Sequence, residues 1–133
     1  MNTVSVNLYE DESELAEALC NFIVAKSIES TEERGRFVIA ITADRALSLF
    51  ARVIRKEPFA SFVNWNNWWI FFIDEYCLPL THSQSNYFKV NRELLQHISI
   101  PETQVFPAYD AAEDLDELGS TCENAALKYS GQV

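Results

Sequence analysis

Residues 68–87 read WWIFFIDEYCLPLTHSQSNY, and the change of character within this stretch decides the fold. Its first six residues are bulky, apolar and uncharged. Six residues are too few for a buried helix, so the run predicts a strand covered by protein on both faces. Asp74 and Glu75 end the run abruptly, and a polar loop containing Pro79 and His82 follows. Ser85-Asn86 then opens a helix predicted to reach about His97, with Tyr87, Val90 and Leu94 on its inner side. A strand that ends in carboxylates and passes through a loop into a helix is a unit of a layered α/β domain. Ligands of such domains bind beyond the carboxyl ends of the strands.

Upstream, residues 37–41 (FVIAI) form a second continuous apolar run, again predicted as a strand buried on both faces. Asp44 starts a helix with Leu47, Phe50 and Ile54 inward, and Pro58 closes that region. Nearer the N-terminus, residues 4–9 alternate like an opening strand. Asp11 and Glu14 then make a capping-box-like start for a helix carrying Leu15, Leu19, Phe22 and Ile23, and Gly35 ends the connection. Downstream, Ile100-Pro101 reads as loop, residues 104–106 as a short strand, and Asp110 with Glu113 as the start of a last helix. That helix has Leu115, Leu118, Cys122 and Ala125 on one stripe. The order β-α-β-α-β-α-β-α predicts a single domain over residues 1–133. Its class is α/β, a truncated doubly wound (Rossmann-like) sheet, mostly parallel, with helices on both faces. Two loops then flank the strand ends, Thr42 to Arg45 and Asp74 to Asn86, and chemistry is expected there.

Composition narrows the partners. Nine Phe, five Tyr and three Trp in 133 residues are enough for a real core. Twenty acidic against ten basic residues give a net charge of −10. Such a surface repels nucleic-acid backbones and anionic lipid, so neither is expected as a partner. The three cysteines, Cys20, Cys77 and Cys122, are odd in number and widely spaced. They argue against a disulfide framework or zinc site and for a reducing compartment. The first ten residues lack the marks of a signal or transit peptide and no run spans a bilayer, so the expected location is cytoplasmic.

The segment FFIDEYCLPLTHSQSNY (residues 71–87) resembles the strand-and-loop signature of the 6-phosphogluconolactonase and glucosamine-6-phosphate isomerase superfamily. Residues 98–107, ISIPETQVFP, are similar to that family's IP-x-x-x-I-x-P connection. EDESELAEAL and RFVIAIT, residues 10–19 and 36–42, take the places of its first helix and second strand. The flavour is closest to plant-type 6-phosphogluconolactonases. The resemblance implies a sugar-phosphate substrate and no cofactor or metal. It carries an acidic pair onto Asp74 and Glu75, with the first acid as the proton-abstracting base of the isomerase branch. It also carries a loop histidine onto His82.

Three departures decide the expected activity. The family's Ser-Gly-Gly-Ser/Thr phosphate loop, whose glycines let backbone N–H groups reach an anion, reads Thr42-Ala43-Asp44-Arg45 here. Asp44 at a helix start is most simply an N-cap, and Arg45 points away from the loop. The lactonase arginine after the acidic pair is Tyr76, a residue the isomerase branch carries. The Gly-x-Asp-Gly-His segment with the family's catalytic histidine finds no counterpart in these 133 residues. The resulting expectation is the N-terminal half of a family domain, non-catalytic, acting by association. A second copy or another protein would dock on an exposed sheet edge or face. The alternative is a residual 6-phosphogluconolactonase, a sugar-phosphate lactone hydrolase of the pentose phosphate pathway, completed by a partner chain. Asp74 and Glu75 would then be catalytic, and Thr42, Asp44, Arg45 and His82 would line a degenerate substrate site.

Overall fold

Three parallel strands, β1 (Phe37–Ile41), β2 (Trp68–Phe72) and β3 (Val105–Phe106), lie in the order β1-β2-β3 in a computed structural model that describes residues 3–108. The register pairs Phe37 with Trp68, Ile39 with Ile70 and Ile41 with Phe72, and Ile70 in turn with Val105. Side chains alternate across a pleated sheet, so these residues share one face. That face joins a single hydrophobic cluster with residues of α1 (Glu12–Arg34), α2 (Arg45–Ile54), the short α3 (Phe59–Phe62) and α4 (Asn86–Glu93). Trp68, Ile70 and Phe72 are buried within it.

The opposite face carries Val38, Ala40, Trp69, Phe71 and Phe106. Phe71 stacks on Phe106 with ring centroids 4.6 Å apart, and the Arg36 guanidinium lies 5.9 Å from the centre of the Trp69 ring. Val38 is 51% exposed. Among the described residues, the helices share their core with the first face.

Local signals explain where the helices begin and end. Asp11 Oδ1 accepts the Glu14 amide at 2.8 Å, capping α1, and the Glu14 carboxylate reaches back to the Glu10 amide at 3.1 Å. Gly35 ends α1 at φ 79°, a left-handed conformation costly for residues with a Cβ, and donates its N–H to Thr31. The buried stripe of α1 differs from the expected one. Ala16, Cys20, Val24, Ser27 and Ser30 face inward, whereas Leu15 and Phe22 are exposed. The buried serines satisfy themselves on carbonyls, Ser27 on Val24 at 2.7 Å and Ser30 on Arg36 at 2.8 Å. Burial pushes the Cys20 thiol up to about 12, so it is no nucleophile at neutral pH.

Residues 4–9 are not a strand. Val4, Val6 and Leu8 are 89%, 75% and 90% exposed. The alternation expected of a strand is present, but a strand exists only where another pairs with it, and none of the described strands does. The predicted α4 is met at its start, while its last turn, Leu95–His97, tightens into a 3-10 helix. The Gln104 amide gathers three carbonyls, those of Trp68 (2.7 Å), Asn66 (3.1 Å) and Trp65 (3.3 Å), and so ties the approach to β3 to the start of β2. The helix expected from Asp110 lies outside the described residues. No helix of the described residues is long and apolar enough to cross a membrane.

Candidate functional site at the strand ends

The parallel sheet brings the loops after β1 and β2 side by side. Thr42 Oγ1 donates to Asp74 Oδ1 at 2.6 Å, joining the two strand ends directly. Asn86, the first residue of α4, donates its side-chain amide to both the Asp74 carbonyl and Asp74 Oδ1, each at 3.2 Å. Asp74 thus stays exposed while one of its oxygens is fixed from two sides. Asn86 was not foreseen as part of the site. The available signal was a polar side chain at the first position of a helix, and it is buried.

Glu75 lives in a different environment. Its Oε1 accepts the amides of Tyr76 (2.8 Å) and Asn86 (2.6 Å), and its Oε2 accepts the Ser85 hydroxyl (2.9 Å) and the Tyr87 amide (2.8 Å). The Ser85 oxygen in turn accepts the Phe88 amide at 3.3 Å. Four donors converge on one half-buried carboxylate at the start of α4, where the orphan N–H groups and the helix dipole favour an anion. The protein supplies that anion itself.

The loop after β1 is closed in a similar way. Asp44 Oδ1 accepts the Leu47 amide at 2.9 Å as N-cap of α2, and the Asp44 N–H donates to the Thr42 carbonyl at 3.0 Å. Arg45 leaves the loop and forms a two-oxygen ion pair with Glu12 at the start of α1. The hydrogen bond and charge of Arg45 hold the Glu12 carboxyl below its ordinary 4.5. Both side chains are largely exposed, so the pair contributes little to stability. The whole of that small contribution is present above 4.5 and is lost as pH falls through the depressed value. NMR titration is expected to find Glu12 below 4.5 in the wild type and back near 4.5 in Arg45→Ala.

His82 is exposed and belongs to its own turn. Its amide donates to the Pro79 carbonyl at 2.9 Å, its carbonyl accepts the Ser85 amide at 2.9 Å, and its Nδ1 accepts the Gln84 amide at 3.0 Å. Among the described residues no hydrogen bond joins it to Asp74. The structure therefore brings Thr42 and Asp74 together with Glu75 close by, and sends Arg45 and His82 elsewhere. Cys77, read as loop packing, is disulfide-bonded, while Cys20 is a free, buried thiol. No group of three or more His, Cys, Asp or Glu among the described residues could hold a metal ion.

A parallel sheet with helices packed on it, and polar groups gathered where its strands end and loops enter helices, defines an α/β domain of the Rossmann-like class. Residues 10–133 match the family model of glucosamine-6-phosphate isomerases/6-phosphogluconolactonase, and the chain belongs to that family. It is 30% identical over 117 residues to a probable chloroplastic 6-phosphogluconolactonase 3 of rice (Oryza sativa subsp. indica), covering 86% of this chain and 36% of the relative. It is likewise 30% identical over 122 residues to 6-phosphogluconolactonase 3 of Saccharomyces cerevisiae, covering 91% and 47%. The chain therefore spans less than half the length of these relatives. Among solved structures, 6-phosphogluconolactonase from Trypanosoma brucei superposes with a TM-score of 0.74 at 22% identity, covering 95% of this chain and 48% of that one. A putative 6-phosphogluconolactonase from Neisseria gonorrhoeae gives 0.72 at 24%, covering 91% and 51%. These two likenesses establish the Rossmann-like fold.

Proposed function

We propose that this chain is a non-catalytic member of the 6-phosphogluconolactonase family that acts in the cytoplasm through protein association. The observation that carries the reading is the Asp44 cap. Its carboxylate accepts the Leu47 amide at 2.9 Å, on the helix start where a phosphate would otherwise lie. A phosphate about 4 Å away would meet a repulsion of roughly 4 kcal/mol per unit charge at an effective dielectric near 20. Arg45, the nearest cation in sequence, is engaged by Glu12. Without an anion clamp, little is left to hold a sugar phosphate or the charge that develops during lactone hydrolysis.

The second reading, a residual lactonase completed by a partner chain, draws on Asp74, an exposed carboxylate fixed by Thr42 and Asn86 at a strand end. One pair of measurements separates the two. Hydrolysis of 6-phosphogluconolactone is expected to stay at the spontaneous rate for both the wild type and Asp74→Ala. Saturating 6-phosphogluconate is expected to leave the melting temperature unchanged, whereas a ligand at about 100 times its Kd would add roughly 2.7 kcal/mol. Turnover that disappears in Asp74→Ala would establish the lactonase and remove the non-catalytic reading.

A further inference from the structure

We propose that the disulfide at Cys77 is a redox switch, opened by a cytoplasmic thiol of the glutathione class, that sets how firmly the strand-end carboxylates are held. The proposal rests on the cytoplasmic setting of the reading above and not on whether the chain catalyses. Cys77 is disulfide-bonded, and Cys20, the other cysteine among the described residues, is a free thiol. Disulfides are rare in the cytoplasm because thiol pools reduce them, and those that form there are mostly transient and redox-sensing.

The position of Cys77 gives its bridge something to control. It lies half-buried in the loop between β2 and α4, two residues after Glu75 and three after Asp74. The Leu78 amide donates to the Tyr76 carbonyl at 2.8 Å, so Cys77 is the central residue of a three-residue turn. The Tyr76 amide, at the start of that turn, donates to Glu75 Oε1 at 2.8 Å. The same Glu75 oxygen accepts the Asn86 amide at 2.6 Å, and the Asn86 side chain donates to Asp74 Oδ1 at 3.2 Å. Thr42, just past β1, reaches that Asp74 oxygen at 2.6 Å. A tether at Cys77 restrains the turn at one end of this hydrogen-bonded chain, and its loss lets the loop open locally.

The exchange needs only thiols. A glutathione thiolate attacks one sulfur of the bridge and forms a mixed disulfide, while the other sulfur leaves and takes up a proton. A second glutathione then attacks the mixed disulfide and frees the second thiol of the chain. In sum the S–S bond gains two electrons and two protons, and two glutathione molecules leave as one oxidised dimer. Cys20 takes no part, because it is fully buried and burial keeps its thiol protonated.

The test equilibrates the full chain in glutathione buffers from fully oxidised to excess reduced, then alkylates it and digests it without further reductant for mass spectrometry. In the oxidised buffer the Cys77 peptide is expected linked to the peptide of Cys122, the third cysteine of the sequence, and in excess reduced glutathione both are expected alkylated. Amide hydrogen exchange on the same samples is expected to quicken several-fold at Tyr76, Leu78 and Asn86 on reduction, with β1 unchanged. Cys77→Ser is expected to show the quick exchange in every buffer. A bridge that survives excess reduced glutathione is a fixed structural link and overturns the switch, as does a Cys77 found alkylated in the oxidised buffer. Exchange that reduction leaves unchanged, or that reductant still quickens in Cys77→Ser, separates the bridge from the site and overturns it too. Lactone hydrolysis in both buffers keeps the issues apart: Asp74-dependent turnover would sink the non-catalytic reading, whereas the linkage and exchange data alone judge the switch.

Discussion

Trp68→Ala is expected to cost about 3–5 kcal/mol, the range for removing a large aromatic side chain from a core. A marginal domain has only about 5–15 kcal/mol in total. Trp68 is 2% exposed, and its ring meets three others. Phe37 of β1 stands edge-on with centroids 4.7 Å apart, Trp65 lies tilted at 4.7 Å, and Phe50 of α2 is stacked at 6.4 Å. One side chain therefore joins two strands, the turn before β2 and a helix. The surrounding elements have their own backbone constraints and cannot collapse into the space that the indole leaves, so a cavity term adds to the transfer term. Loss of the near-UV circular dichroism signal together with a shifted or absent thermal transition would be the readout. Trp68→Phe, which keeps an aromatic ring, should retain the transition at reduced temperature. A Trp68→Ala protein that melts within a few degrees of wild type would show that these ring contacts contribute little.

That same tryptophan shows how far the sequence could be read. The run at residues 68–73 was legible as a strand because six bulky apolar residues have few other places to go, and β2 follows it at Trp68–Phe72. Asp11, Gly35, Asp44 and Ser85 were legible as helix boundaries, since capping is local chemistry that three or four residues settle among themselves. The inner stripe of α1 was not. Ala16, Ser27 and Ser30 look unremarkable beside Leu15 and Phe22, and only the packing of the rest of the domain selects the small residues. Residues 4–9 carried a true strand pattern that no described strand answers, because pairing is a property of two segments and the pattern belongs to one. At the site, Asp74 and Glu75 were found by their position at a strand end. Their separation into one exposed carboxylate and one four-fold hydrogen-bonded carboxylate depends on where the start of α4 lands, which no spacing within the loop encodes.

Glu75→Ala is expected to destabilise the chain by about 3 kcal/mol, since hydrogen bonds to a charged group contribute roughly 1.5–3 kcal/mol each and do not add fully. At about 3–5 °C per kcal/mol, between the ranges for smaller and larger domains, the melting temperature should fall by about 9–15 °C. Four donors lose their acceptor at once: the amides of Tyr76, Asn86 and Tyr87 and the hydroxyl of Ser85. Asn86 and Tyr87 begin α4, so no earlier turn of helix can accept their N–H groups. The fully buried Ser85 hydroxyl must find another acceptor while its oxygen still accepts the Phe88 amide. Glu75→Gln separates charge from shape. It keeps one carbonyl oxygen for two of the donors but turns an NH2 toward the others, so it should fall between wild type and alanine. Amide hydrogen exchange locates the damage: faster exchange at Asn86 and Tyr87, with β1 unchanged, is what a local cap requires. Because Asn86 also grips Asp74, the Glu75 substitution should loosen the Asp74 carboxylate as well. A Glu75→Ala protein as stable as wild type would mean that water takes over all four donors, and Glu75 would then return as a candidate for chemistry instead of a cap.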